Sequence, residues 1–178
     1  MHRHCHSNHK HPRTLFIAYG NPDREDDGVG WYVLKQLAEH FNSRVSDWNE
    51  DFYSCLGAEP DFFFTLQLTP ELQDLIVGYE YVCFIDAHLG DEFDDLELRP
   101  LEPVFEPSTL SHHMTPQFLM DITLASYRKH PQAVLLTIRG YEFQFEQRLS
   151  SQCHLLAEKA VVRATEWYQQ ISDTNLAN

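Results

Sequence analysis

The chain has 178 residues, of which 43% are hydrophobic and 13% aromatic, and this is the composition of a folded domain rather than of a disordered segment. It carries 27 acidic against 13 basic residues, and its formal charge of −14 disfavours binding to nucleic acid or to an anionic membrane surface. No apolar stretch approaches the roughly 20 residues of a membrane-spanning helix. Since residues 1–13 also lack the apolar segment of a secretory signal, we expect a cytoplasmic protein.

Residues 1–13 contain five of the eleven histidines and have neither helical nor strand periodicity, which predicts a flexible tail. Neutral imidazole binds nickel, copper and zinc, so the tail is either a metal-binding segment or simply an unstructured end. The four cysteines have no CxxC spacing, which argues against a zinc site, and we expect all four to be reduced. Residues 14–178 are predicted to form a single domain.

Strand-like and helical segments alternate along this domain. The sequence predicts strands at 14–19, 61–68, 81–87, 95–101 and 133–139, and helices from near 27 to 41, at 70–79, at 116–128 and at 150–171. The strand at 95–101 alternates as an edge strand does. Apolar strands that alternate with helices indicate βαβ units, so we expect an α/β fold, a three-layer α/β/α sandwich with a mainly parallel, twisted central sheet.

Polar side chains follow several of the predicted strands, and ligands of open α/β sheets bind beyond the carboxyl ends of the strands. Asp26 and Asp27 come after the first strand, and Asp86 lies at the end of the strand at 81–87. His112 and His113 precede the helix at 116–128. Two carboxylates and an imidazole would suit a divalent transition metal such as nickel and would leave positions open for a substrate.

Each of these residues also has an ordinary structural interpretation. Asp27 stands directly before a helix, where an aspartate commonly caps free N–H groups, and Asp86 could accept backbone hydrogen bonds at its strand end. His112 and His113 could be exposed loop residues. Nucleotide binding is disfavoured, because the chain has no GxGxxG and no P-loop, and because the acidic turn at 23–27 would repel a pyrophosphate.

Three segments, "FIAYGNPDREDDGVG", "VCFIDAH" and "SHHMTP", occur in this order and together resemble the hydrogenase maturation proteases. The resemblance covers roughly residues 14–171. It implies that Asp27, Asp86 and His113 contact a metal, with Asp27 or Asp86 as the catalytic base. His113 is preferred to His112 because it stands three residues before Pro116, as the family histidine often does before its helix.

The resemblance implies an endopeptidase that removes the C-terminal extension of a nickel-loaded nickel-iron hydrogenase large-subunit precursor. The nickel would be supplied by the precursor, with no organic cofactor, and we expect a monomer that binds the precursor transiently. One alternative is a non-proteolytic nickel-binding accessory protein that acts through its tail, and another is a small-molecule hydrolase with its own metal. The segments "NEDFYSCLGAEPDFFF" and "TIRGYEF" depart from the family pattern.

Overall fold

The computed structural model describes residues 11–43, 52–90, 94–102 and 114–176. The described strands are β1 (Thr14–Tyr19), β2 (Phe52–Cys55), β3 (Asp61–Thr65), β4 (Tyr81–His88), β5 (Leu96–Leu101) and β6 (Gln132–Arg139). The described α-helices are α1 (Val29–His40), α2 (Leu72–Ile76), α3 (Pro116–Tyr127) and α4 (Ser151–Leu176), and a short 3₁₀ helix, Glu25–Gly28, precedes α1. None of these helices is both long and apolar enough to span a membrane.

The described strands form one six-stranded sheet in the order β2-β3-β1-β4-β6-β5. Its four central strands are parallel, while β2 and β5 pair antiparallel at the two edges. This confirms the predicted mainly parallel α/β sandwich and the edge position of the strand at 95–101. The strand β2 was not predicted, and β4 ends at His88, one residue beyond the predicted 81–87.

The central strands bury side chains on both faces, which is why they appear in the sequence as continuous apolar runs. On one face Phe16 and Ile85 pack under α1 and α4, and on the other face Ile17 and Phe84 pack under α2 and α3. All four side chains have no solvent exposure. The helices therefore form two layers around the sheet, and the carboxyl ends of β1, β4 and β6 lie at the same edge.

The predicted bounds of the helices agree with the structure to different degrees. The Thr115 hydroxyl accepts a hydrogen bond from the backbone N–H of Phe118 at 3.1 Å and Pro116 is the first residue of α3, as predicted. The helix α2 spans only Leu72–Ile76 of the predicted 70–79. The helix α1 begins at Val29, because residues 25–28 form the 3₁₀ turn that the next section describes.

The chain contacts the sheet before β1 begins. Pro12 is buried, and its carbonyl accepts a hydrogen bond from the Thr14 hydroxyl at 3.0 Å. The Arg13 carbonyl accepts hydrogen bonds from the N–H groups of Glu80 and Tyr81 at 2.9 and 3.2 Å. The predicted tail at 1–13 lies otherwise outside the described residues, and the division after residue 13 stays a prediction.

Candidate active site

Asp26 is the structural centre of the acidic turn. Its side chain is fully buried and accepts hydrogen bonds from the backbone N–H groups of Tyr141 at 2.8 Å, Glu142 at 3.0 Å and Ser150 at 2.7 Å. The Ser150 hydroxyl donates a further one at 2.7 Å. Burial raises the pKa of Asp26, but these hydrogen bonds outweigh it and leave the pKa below its usual value. Asp26 therefore fixes the turn to the loop at 140–150 and to the start of α4.

Glu25 supports the same attachment from the neighbouring position. Glu25 is only 2% exposed, and its buried carboxylate has polar partners. It accepts a hydrogen bond from the Gln144 N–H at 2.7 Å and lies 3.3 Å from a guanidinium nitrogen of Arg148. The Glu25 N–H donates to the carbonyl of Glu146 at 2.8 Å. Glu25 adopts a φ of 46°, a backbone conformation that side-chain-bearing residues rarely take and that this set of contacts maintains.

Three glycines permit the close packing of this turn. A Cβ on Gly20, whose φ is +128°, would lie 2.1 Å from the carbonyl oxygen of Asp27. A Cβ on Gly28 would lie 2.6 Å from the Cα of Pro22, and one on Gly30 would lie 2.9 Å from the carbonyl oxygen of Tyr19. The spacing G-N-P…D-D-G-x-G is thus a packing requirement that brings the start of α1 onto the ends of the central strands.

Asp27 points away from Asp26 and lines a cleft at the carboxyl ends of the strands. Its carboxylate accepts a hydrogen bond from the Asn21 N–H at 3.0 Å, and Gly28, not Asp27, occupies the cap position of α1. No side chain caps the N-terminus of α1, so the interpretation of Asp27 as a helix cap is wrong. The half-buried carboxylate instead faces the same space as Asp86.

Asp86 reaches this cleft from β4, the strand next to β1. The Tyr19 hydroxyl and the Ala87 N–H both donate hydrogen bonds to it. Burial, with a further contribution from the negative charge of Asp27, raises the pKa of Asp86 to about 7, although the two hydrogen bonds act in the opposite direction. Asp86 does accept a backbone hydrogen bond, as one interpretation held, and its carboxyl group is also poised to exchange a proton near neutral pH.

The cleft has a volume of about 820 Å³ and lies between the strand ends and the starts of α2 and α3. It brings Asp27 and Asp86 together, while Asp26 belongs to the attachment of the turn. His112 and His113 lie outside the described residues. Within the described ranges no three His, Cys, Asp or Glu side chains are grouped closely enough to hold a metal ion, so Asp27 and Asp86 form at most part of a metal site.

Sequence reasoning missed two basic residues among the described lining of the cleft, His88 and Arg99. His88 follows Asp86 by two positions on β4, and this spacing places both on one face of the strand. Its Nδ1 lies 2.8 Å from the hydroxyl of Thr137, and burial, with the positive charge of Arg139, lowers its pKa. The period of two along the predicted strand is the signal that could have identified His88.

Comparison with known proteins places the fold. No protein-family model and no curated protein sequence matches the chain. Among solved structures, the [NiFe] hydrogenase maturation protease HybD from Thermococcus kodakarensis is similar with a TM-score of 0.60 and 21% identity, over 88% of this chain and 99% of that one. The hydrogenase maturating endopeptidase HybD from E. coli is similar with a TM-score of 0.58 and 12% identity, over 89% and 93%.

A third similar structure is the maturation protease HycI from Thermococcus kodakarensis KOD1, with a TM-score of 0.57 and 18% identity over 94% of each chain. The similarity extends over nearly the whole length of each of these proteins, so the sheet and both helical layers are part of the shared fold. This agrees with the resemblance seen in the sequence motifs. The chain therefore has the fold of the [NiFe] hydrogenase maturation proteases.

Proposed function

We propose that this protein is an endopeptidase that removes the C-terminal extension of a nickel-loaded [NiFe] hydrogenase large-subunit precursor. The observation that carries the proposal is the convergence of Asp27 and Asp86 on one strand-end cleft, in a chain with the maturation-protease fold. The two carboxylates come from distant parts of the sequence, and each occurs in one of the segments, "FIAYGNPDREDDGVG" and "VCFIDAH", that resemble the family motifs. His113 is the proposed third contact to the nickel.

The electrostatics of the cleft support a metal-bearing substrate. Part of the elevation of the Asp86 pKa comes from the charge of Asp27, so the negative charge of Asp27 repels the ionised form of Asp86. A divalent cation that arrives with the precursor would relieve this repulsion, and loaded precursor would then bind more tightly than empty precursor. Nickel is thus a recognition feature of the substrate, and the protein needs no resident metal.

The same two carboxylates supply the acid–base chemistry. Peptide hydrolysis requires that a water molecule lose a proton as it attacks the scissile carbonyl, and that the leaving amine gain one. Asp86, whose carboxyl group has a pKa of about 7 in the free protein, is the candidate to accept the first proton and return it to the leaving amine. Bound nickel would polarise the scissile carbonyl or the attacking water.

The test is the intact mass of the large-subunit precursor from the same organism, with and without nickel, after incubation with this protein. A mass loss equal to the C-terminal extension, seen only with loaded precursor, is expected. Asp27→Asn retains an oxygen that can accept the Asn21 hydrogen bond, so it should fold normally and lose processing. His113→Ala should lose processing as well, whereas a loss at His112→Ala in its place would move the assignment by one residue. Unprocessed loaded precursor would contradict the proposal.

A further inference from the structure

The cleft has a second polar end, opposite Asp27, that the proposed hydrolysis does not use. Arg99 lines it from the edge strand β5 and is half-buried. Within the described ranges, Arg99 is the one lysine or arginine side chain among the cleft residues. The rest of the molecule is strongly acidic, with a formal charge of −14, so a guanidinium in this cleft is a local exception to the charge of its surroundings.

The register of the sheet fixes where Arg99 stands relative to Asp86. On β6, Asp86 pairs with Thr137 from one side, and Arg99 pairs with Leu135 from the other. Because Thr137 and Leu135 are two residues apart, all four side chains lie on one face of the sheet, the face of the cleft. Asp86 and Arg99 are separated by two strand spacings of about 4.8 Å across the sheet and by two residues along the strands. The distance between their backbones is therefore about 12 Å.

We propose that Arg99 binds a carboxylate of the substrate peptide, three or four residues from the scissile bond. The inference rests on the proposed function, since it takes the scissile bond to lie beside Asp86. A guanidinium has five N–H donors in a planar fork, and two of them can bind both oxygens of a carboxylate. An extended peptide advances about 3.3 Å per residue, and three or four residues span the distance from Asp86 to Arg99.

The carboxylate has two possible sources in a precursor of this kind. One is an aspartate or glutamate side chain near the cleavage site, and the other is the free C-terminus of the extension itself. Both present the same planar pair of oxygens to Arg99. Three forms of the nickel-loaded precursor separate them: the natural form, a form with its acidic residues near the cleavage site replaced by their amides, and a form lengthened by neutral residues that move the terminal carboxylate away.

The experiment measures binding of each precursor form by surface plasmon resonance, in parallel with cleavage by intact mass. For the natural precursor, Arg99→Gln should weaken binding about 10- to 100-fold, the range of a charge-assisted hydrogen-bonded pair. Arg99→Lys should retain part of the affinity, because it retains the charge but not the fork. The precursor form that has lost the recognised carboxylate should bind the natural protein and Arg99→Gln equally.

Arg139→Gln is the matched control. Arg139 lies on the adjacent strand, is paired with Asp95 at 3.1 Å and does not line the cleft, so this variant should bind the precursor as the natural protein does. Circular dichroism and thermal unfolding check that Arg99→Gln is folded. If it is not, the precursor forms decide the matter on the natural protein, since removing the recognised carboxylate must weaken its binding.

Equal binding of natural precursor by Arg99→Gln and the natural protein would overturn the inference, as would equal binding of all three precursor forms by the natural protein. Binding that depends on Arg99 and on the recognised carboxylate, without any mass loss, would keep the contact between Arg99 and the carboxylate and would contradict the proposed endopeptidase. Cleavage at the same rate by Arg99→Gln and the natural protein would support the proposed endopeptidase and contradict the role of Arg99. Absence of any association with loaded precursor would contradict both.

Discussion

Asp26 and Asp27 are neighbours in the chain, yet their carboxylates have different roles. Asp26 is buried and saturated by four hydrogen bonds from the loop at 140–150, so it has no capacity left for a ligand. The Asp27 carboxylate accepts a hydrogen bond from the Asn21 N–H and faces the cleft. In the acidic turn, Asp26 therefore has a structural role and Asp27 is the candidate functional carboxylate. The hydrogen bonds of Asp26 hold the turn in the conformation that directs Asp27 to the cleft.

Asp86→Asn should change stability in a way that depends on pH. The pKa of Asp86 is about 7 in the folded protein and about 3.9 in an unfolded chain, so the folded state holds the extra proton between these values. The stability that this proton contributes is fully present below pH 4 and is lost as the pH rises through 7. Relative to the natural protein, Asp86→Asn should gain stability from pH 5 to pH 8 in urea unfolding. A constant difference across this range would show that the Asp86 pKa is not raised.

The pH dependence of processing provides a separate check on Asp86. If Asp86 contacts the nickel or acts as base, it must be ionised, and the kcat/KM of processing reports the ionisation of the free enzyme. We expect kcat/KM to fall about tenfold per pH unit below pH 7 and to level off above it. The precursor should be shown to retain its nickel at each pH. A profile that stays flat from pH 5 to pH 8 would exclude Asp86 from both roles.

At the scale of elements, the 3₁₀ turn at Glu25–Gly28 joins two parts of the fold that are distant in sequence. Ser150 donates hydrogen bonds from its N–H and its hydroxyl to the Asp26 carboxylate, and its hydroxyl oxygen accepts one from the Cys153 N–H at 3.2 Å, which secures the first turn of α4. The same carboxylate thus orders the turn before α1 and the start of α4, two helices that pack side by side on one face of the sheet.

Asp26→Asn should test this junction. An amide group cannot accept all the donors that converge on the carboxylate, and its own NH₂ would face backbone N–H groups, so we expect a loss of about 3 kcal/mol in the free energy of unfolding. Because folding lowers the pKa of Asp26, the stability that its ionised form contributes is present above the unfolded-chain pKa near 3.9 and is lost as the pH falls through the folded pKa. The difference in stability between Asp26→Asn and the natural protein should therefore shrink in acid.

Asp23→Asn is the control for Asp26→Asn. The Asp23 carboxylate accepts a hydrogen bond from the exposed Gln147 side chain at 2.6 Å, and an asparagine oxygen can replace it. Urea unfolding should find Asp23→Asn within about 0.5 kcal/mol of the natural protein. Equal destabilisation by the two substitutions would mean that the charge of the turn matters, and not the buried hydrogen bonds of Asp26.

Gly20→Ala should separate backbone crowding from backbone conformation. Gly20 and Gly90 both have a positive φ, +128° and +87°, but a Cβ on Gly20 would lie 2.1 Å from the Asp27 carbonyl oxygen, while one on Gly90 would meet no atom of the described residues within 4 Å. Gly90→Ala should cost about 1 to 2 kcal/mol from its φ alone. Gly20→Ala should cost about 3 kcal/mol or more and displace Asp27, which thermal unfolding and the processing assay measure together. Equal effects of the two would argue against a tight contact at Gly20.

At the scale of the whole molecule, the elements that were predicted well from the sequence are those that are buried in the fold and therefore consist of apolar residues. Buried parallel strands such as β4 are continuous apolar runs, and their order with the helices implies the three layers. The strand β2 was missed because a short antiparallel edge strand has no such run. The hydrogen bond from Tyr141 to Asp26 joins residues 115 positions apart, and no local pattern encodes it. Arg99 was missed for the same reason, since only the sheet order brings β5 to the cleft.

The N-terminal segment supplies a last test, because the structure gives a point at which to cut it. Arg13 makes hydrogen bonds with Glu80 through its N–H and its carbonyl, and Pro12 is buried, so Pro12 and Arg13 are part of the packed fold. Removal of residues 1–10 should leave thermal unfolding and precursor processing unchanged. Removal of 1–13 should cost about 2 kcal/mol, as the Glu80 and Tyr81 N–H groups lose their acceptor.

The two truncations also distinguish the proposed endopeptidase from an accessory protein that acts through its histidines. Residues 1–10 carry four of the five histidines of the tail, and their removal leaves the cleft of Asp27 and Asp86 intact. An accessory protein would lose function in both truncations, and in proportion to the nickel bound by the tail. If the shorter truncation folds normally but no longer supports precursor maturation, the histidines and not the cleft are the functional part of the chain.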